Sequence, residues 1–359
     1  MKKRLNARVE IRTSPHIHYA PSVSQIMRNV VYALVPISLF GIYQFGLSAL
    51  ALIVVTTASC LATEHLFMRV SDRASSLHDF SAVITGLLLA LTLPPGFPLW
   101  MAAVAGFIAI ALGKVIFGGL GYNILNPALV GRAFVQAAFP VAITTWTPAF
   151  IPGRFNEFVP STLTLPFLKP ISPAEWINAN AIDGFTGATP LALQKFEQIQ
   201  TSTIDLLMGM TSGSAGESSA LLIMACGLYL AFRKMLDWRI PVGILLSSAL
   251  FSALFYLINP DLYPPPLFTL LSGGMMLGAI FMATDMVASP LTPLGVWSYA
   301  ILIGVLTVTI RFFGGLPEGI MYAILLGNAA SPLIASLTQP RAYGKERRSL
   351  FNRRQKEES

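Results

Sequence analysis

The chain has 359 residues, 54% of them hydrophobic and only 11% charged, with a mean hydropathy of +0.65; soluble domains carry roughly 25% charged residues, so a membrane protein is expected. The net charge of +7 does not indicate nucleic acid, because the basic residues gather at the ends and in particular loops and are not interleaved with aromatics on one face. Two distant cysteines, Cys60 and Cys226, and histidines at 16, 18, 65 and 78 supply no disulfide framework, zinc site, iron–sulfur cluster or paired-helix haem site, so no metal is expected.

In chain order, residues 1–28 form a basic segment without the short apolar core and small-residue closure of a cleavable signal peptide. Ten apolar windows follow, at 29–46, 48–68, 80–94, 98–117, 124–145, 218–236, 240–259, 266–287, 295–313 and 317–338; a membrane helix needs about 17–25 residues, and some of these are short. An even number of crossings puts both termini on one side. Nineteen of the 24 Lys and Arg residues then share that side, including the basic tail at 339–359, whereas Arg154, Lys169 and Lys195 lie opposite. By the positive-inside rule both termini are cytoplasmic, and residues 146–217 form an extracytoplasmic loop. That loop is too long for a simple turn; its Trp146 and Trp176, its many Pro and Thr and its few charges predict a segment folded against the membrane surface.

The fold class expected is an all-α polytopic membrane protein of about ten transmembrane helices. "VIFGGLGYNILNPALVG" at 115–131 lies over "RFFGGLPEGIMYAILLG" at 311–327 at an offset of 196, and at the same offset Pro94 pairs with Pro290. Five spans separate the copies, an odd number, so the halves 29–145 and 218–338 read as inverted five-helix repeats with broken helices, an arrangement that exposes backbone dipoles to an ion or ligand. The plainer alternative is that Gly and Pro simply allow close packing in membrane helices.

Ionisable residues within spans are Glu64, Lys114, Arg132, Asp285 and Arg311. Because a charge in hydrocarbon costs at least about 2.5–3.5 kcal/mol, such groups are functional candidates. Glu64, Lys114 and Arg311 sit near predicted helix ends and can snorkel to the interface. Asp285, beside Pro290 at a helix break, is the candidate for an ion or proton path. Asn123 and Asn126, three residues apart at the start of the fifth span, can share one helical face and offer amide donors and acceptors to a flavin's imide edge; the alternative is an N-cap at Asn126-Pro127. No Gly-rich dinucleotide fingerprint or P-loop lysine occurs.

The polar stretch "AIDGFTGATPLALQKF" at 181–196 precedes what reads as a short amphipathic helix. Thr189-Pro190 is a helix start, with a hydroxyl N-cap and a proline at the first position. A cap requires nothing of Asp183 through Ala188.

Those residues carry a resemblance. "TSPHIHYAPSVSQIMRNVVYALVP", "SAVITGLLLALTLPP", "FGGLGYNILNPALVG", "DGFTGATPL" and "GAIFMATDMVASP" make nearly the whole chain resemble the D subunits of Rnf electron-transport complexes, which are similar to the B subunits of sodium-translocating NADH:quinone reductases. The resemblance implies an extracytoplasmic flavin transferase that joins FMN through its phosphate to Thr189 as a phosphothreonyl-FMN. Asp183, Gly184, Thr186, Gly187 and Ala188 belong to the motif the transferase reads. It also implies a non-covalent riboflavin near Asn123 and Asn126. A phosphodiester on a capping Thr meets unpaired N–H groups and the helix dipole, a contribution of roughly 0.3–1 kcal/mol that orients a flavin but does not retain it. The implied function is that of an electron-carrying subunit of an ion-translocating oxidoreductase in a bacterial cytoplasmic membrane. Its implied partners are the A, B, C, E and G subunits and lipid, it moves Na+ or H+, and the NADH and ferredoxin sites lie on those partners. Length and the shorter N-terminal segment favour the Rnf type; "GRAF" after the Asn-Pro segment points to the quinone-reductase type. A stand-alone inverted-repeat channel or transporter is the alternative from another class, and a structural membrane anchor is a third.

Overall fold

The computed structural model describes residues 22–72, 76–166, 168, 189–217 and 219–340. Among these residues the ordered elements are all helical. The principal helices are α1 (Val23–Phe45), α2 (Leu47–Val70), α3 (Ser81–Thr92), α4 (Leu99–Val115), α5 (Pro127–Ala138), α6 (Ala220–Phe232), α7 (Arg239–Ile258), α8 (Pro266–Leu271), α9 (Met275–Leu277, continued by a π turn over Gly278–Met282), α10 (Pro293–Phe313) and α11 (Ile320–Thr338). Five of them, α1, α2, α7, α10 and α11, are long and apolar enough to cross a membrane. They carry large apolar side chains into the surroundings, with Leu250, Leu257 and Leu333 each more than two-thirds exposed. That is the surface expected of helices in lipid, where the backbone is satisfied internally and apolar side chains face outward.

Each apolar window contains helix, but not all are continuous. The eighth, 266–287, is broken at Ser272-Gly273-Gly274 and becomes α8 and α9. Gly273 has φ +63, a conformation glycine adopts without strain. The fifth window reaches only from Pro127 to Ala138 before a separate turn at Pro140–Ile143. Asn126 caps α5, accepting from Ala128 N at 3.0 Å ahead of Pro127. Asn123 precedes the helix, so the two amides do not share a helical face as expected: Pro127 starts the helix at its first turn and leaves Asn123 in the preceding loop.

Packing recurs between the halves. α2 packs on α4 as α7 packs on α10, and α4 on α5 as α10 on α11. A Cβ added to Gly131 would lie 2.7 Å from Ala105 O on α4, and one added to the repeat-related Gly327 would lie 2.8 Å from Ile303 Cγ1 on α10. Ser59 Oγ of α2 donates to Ala103 O of α4 at 2.6 Å, and Ser248 Oγ of α7 to Gly304 O of α10 at 3.2 Å. Small residues at these crossings let backbones approach, which is how membrane helices gain packing energy without a hydrophobic driving force. Pro94 and Pro290 both lie in the non-helical segments that lead into α4 and α10.

The segment before α6 returns into the bundle. Ala215 N donates to Leu93 O at 3.3 Å and Gly216 N to Leu91 O at 2.6 Å, satisfying carbonyls that the end of α3 leaves without helical partners.

Candidate functional site

The sequence singles out two regions, and a cleft opens near each. The first region is the turn that Thr189 caps. The other motif positions, Asp183, Gly184, Thr186, Gly187 and Ala188, lie outside the described residues. Thr189 is extended (φ −73, ψ 154) and its Oγ1 accepts from Ala192 N at 3.2 Å, the capping arrangement expected. The helix that follows is shorter than expected, a single turn at Pro190–Ala192 passing into a π turn over Leu193–Glu197. Leu191 seats this turn on the α8–α9 break: a Cβ at Gly273 would collide with Leu191 Cδ1 and lie 3.3 Å from Arg311 Nη2.

Beside this turn opens a cleft of about 200 Å³ lined by Gln194, Lys195, Tyr263, Arg311 and Phe312 among others. The Tyr263 and Phe312 rings stand 5.0 Å apart and tilted, an aromatic wall for a flat ring system. Lys195 Nζ donates to the carbonyls of Arg311, Gly314 and Leu316 at 2.9, 2.5 and 3.1 Å; burial holds its pKa below the usual lysine value. Arg311 donates to Thr269 O at 2.5 Å and Ser272 O at 3.0 Å, which are carbonyls freed by the break, and its enclosed Nε has no partner. The cleft therefore combines an aromatic wall with the amides of Gln194 and Gln198, next to the turn that Thr189 caps. An aromatic wall with amides fits a flat ring system such as a flavin.

The second cleft, about 100 Å³, brings Asn123, Asn126 and Asp285 together with Lys114, Ser81 and Phe281. Asn123 Nδ2 reaches Asp285 Oδ2 at 3.5 Å and Leu125 O at 3.3 Å, and Asn126 Nδ2 donates to Met282 O at 3.1 Å. Asp285 lies in the non-helical run between α9 and α10, as expected, and accepts from Val287 N at 3.1 Å. Much of the amide capacity of Asn126 is thus spent on positioning α5 against Met282. The lining joins these polar groups to Leu88, Ile84 and Phe281, the mixture of apolar wall and few polar groups found in small-molecule sites.

The snorkelling expected of Glu64, Lys114 and Arg311 does not occur. They are 0, 2 and 4% exposed, because each finds a partner inside the bundle that water would otherwise replace. Lys114 Nζ lies 2.6 Å from Glu64 Oε1 and 2.6 Å from Ser81 Oγ, and Ser81 Oγ donates to Asp79 Oδ1 at 2.6 Å. Arg132 pairs with Glu318. Sequence reasoning missed Glu318, the second residue of the tenth apolar window, which follows the Gly-Gly-Leu-Pro stretch at the window's edge. The available signal was its place inside that window, seven residues after Arg311.

Similarity to known proteins extends over the whole described bundle. The sequence profile of the NQR2, RnfD, RnfE family matches residues 10–344. The chain is 41% identical over 338 residues to the D subunit of the Na(+)-translocating ferredoxin:NAD(+) oxidoreductase complex of Acetobacterium woodii, covering 93% of this chain and 95% of that one. It is 37% identical over 347 residues to the D subunit of the proton-translocating ferredoxin:NAD(+) oxidoreductase complex of Clostridium ljungdahlii, covering 94% and 96%. It is likewise 37% identical over 341 residues to the D subunit of the ion-translocating oxidoreductase complex of Alcanivorax borkumensis, covering 92% and 96%.

Proposed function

The chain belongs to the NQR2, RnfD, RnfE family, and from that premise we propose that it is the flavin-bearing membrane subunit of an Rnf-type ion-translocating oxidoreductase. Its relatives are named as D subunits of complexes that translocate Na+ or protons with ferredoxin and NAD+ as the redox pair. In this reading the chain sits in a bacterial cytoplasmic membrane with both termini inside and residues 146–217 outside. It relays electrons between flavins, and the ferredoxin and NADH sites belong to partner subunits. The reading favours the ferredoxin-linked type over the quinone reductase, since two of the three relatives quoted carry the former name across nearly their full length. A stand-alone channel leaves the Thr189 motif without a role.

The observation that carries the reading is the sequence Asp183-Gly184-Phe185-Thr186-Gly187-Ala188-Thr189, whose last residue caps a turn that lines an aromatic cleft through Leu191, Gln194 and Lys195. FMN bound there would supply one- and two-electron redox chemistry. The chain's own residues would hold it: Thr189 Oγ1 would bear the phosphate, and Tyr263 and Phe312 would offer one aromatic wall to the ring. Thr189 is 2% exposed, so an extracytoplasmic transferase reaches it before the turn at Pro190 seats on Gly273, and attachment precedes docking of the segment.

Coexpression with a flavin transferase is expected to give a chain that fluoresces as flavin in a denaturing gel and carries one FMN by intact mass. Thr189→Ala is expected to lose both signals. An unmodified mass for the parent chain, or undiminished fluorescence in Thr189→Ala, would reject the assignment.

For the cleft at Asn123 we propose a second, non-covalent flavin, which acid precipitation separates from the covalent one. Asn126→Ala removes a cap worth about 1 kcal/mol together with the bond to Met282. It is expected to deplete the acid-released flavin several-fold and to leave flavin on the pellet. Equal release from parent and variant would reject this cleft as the second site.

A further inference from the structure

Outside both clefts lies a group of charges that lines neither. Glu217 ends the segment that docks on the last carbonyls of α3, and Glu318 stands just ahead of α11; their carboxyls are within hydrogen-bonding reach of each other. Both Oε1 atoms are fully enclosed and find no donor. Two carboxylates this close and out of water repel unless something positive lies between them. Arg132, on α5, is committed through Nη2 to Glu318; it is 4% exposed and its Nε is unpartnered. The nearby break between α8 and α9 adds Ser272, fully buried with an unpartnered hydroxyl, and Gly274, where an added Cβ would lie 3.9 Å from Glu217 Oε1.

We infer that Glu217 and Glu318 form a proton-binding site in which one proton bridges the two carboxyls, placed where the broken ends of α3 and α8 meet. With the proton in place, one carboxyl donates its O–H to the other, and a single negative charge remains opposite Arg132. Without it, two carboxylates face Arg132 from the loops, Arg311 faces them from α10, and Tyr322 on α11 and Ser214 complete the surroundings. The pair thus takes up and releases a proton within a bundle whose relatives translocate cations, at a position distinct from both Thr189 and Asn123. The inference does not depend on either flavin assignment.

The test is infrared spectroscopy of the purified complex at neutral pH, in light and heavy water. A carboxylic-acid C=O band that shifts in heavy water and disappears in both Glu217→Gln and Glu318→Gln is expected. Glu217→Asp, which keeps the acid should Gln fail to fold, is expected to move the band without removing it. A second readout is thermal. Glu217→Gln imitates the protonated acid and is expected to melt close to the parent, whereas Glu318→Gln strands Arg132 and is expected to melt clearly lower. Loss of the band on raising sodium at fixed pH would add exchange at the same oxygens. Absence of the band from the parent, or its survival in both Gln variants, would overturn the inference.

Discussion

Lys114→Met is expected to destabilise the protein by about 3–5 kcal/mol, the cost of leaving one partner of a buried ion pair without the other. Glu64 is 0% exposed and Lys114 2%, at an Nζ to Oε1 distance of 2.6 Å. Truncating the lysine leaves the carboxylate with only the hydroxyl of Ser76, and Glu64 Oε2 already lacks a partner. The structural consequence reaches further, because Lys114 also holds Ser81 at the first position of α3 and lines the Asn123 cleft. Thermal unfolding in detergent measures the effect. Adding Glu64→Gln to Lys114→Met is expected to recover most of the loss, since it removes the uncompensated charge. A single variant that melts with the parent, or a double variant that melts below the single, would contradict this account.

The expectation that Lys114 and Glu64 would snorkel illustrates what the sequence could and could not convey. Their positions near predicted helix ends were legible, since hydropathy fixes where apolar runs stop. That the two lie on neighbouring helices at a common depth is a property of how α2 packs on α4, and no local pattern records it. The same holds for Glu217 and Glu318, which stand at the edges of two apolar windows and are brought together by the docking of 215–216 on α3 and the short turn before α11. By contrast Thr189 and Asn126 were readable as caps because capping depends on residues only two or three apart. The break at Gly273 was partly legible: "SGGMM" offers glycines where a helix is weak, but apolar residues on both sides conceal the interruption from a hydropathy window. The identities at one offset were legible, and that the two glycines they pair both lie at tight helix crossings emerges only when Gly131 and Gly327 are seen against α4 and α10.

Arg311→Met is expected to cost about 3 kcal/mol or more, because hydrogen bonds from a charged donor contribute about 1.5–3 kcal/mol each and two are lost. The acceptors are Thr269 O and Ser272 O, at 2.5 and 3.0 Å, and both are buried with their residues. A broken helix in lipid has no water to satisfy such carbonyls, so the guanidinium stands in for the next turn of the helix. Arg311→Lys keeps the charge but presents a point donor in place of a planar fork; it is expected to hold one carbonyl and to fall between the parent and Arg311→Met. Hydrogen exchange separates this role from a general loss of stability. Amides at 268–274 are expected to exchange faster in Arg311→Met under native conditions, while those of α1 and α2 keep the parent's rates. A uniform increase across the chain would mean that Arg311 supports the bundle as a whole. Acceleration confined to the break would mean that it fixes the position of Gly273, and through Leu191 the position of Thr189.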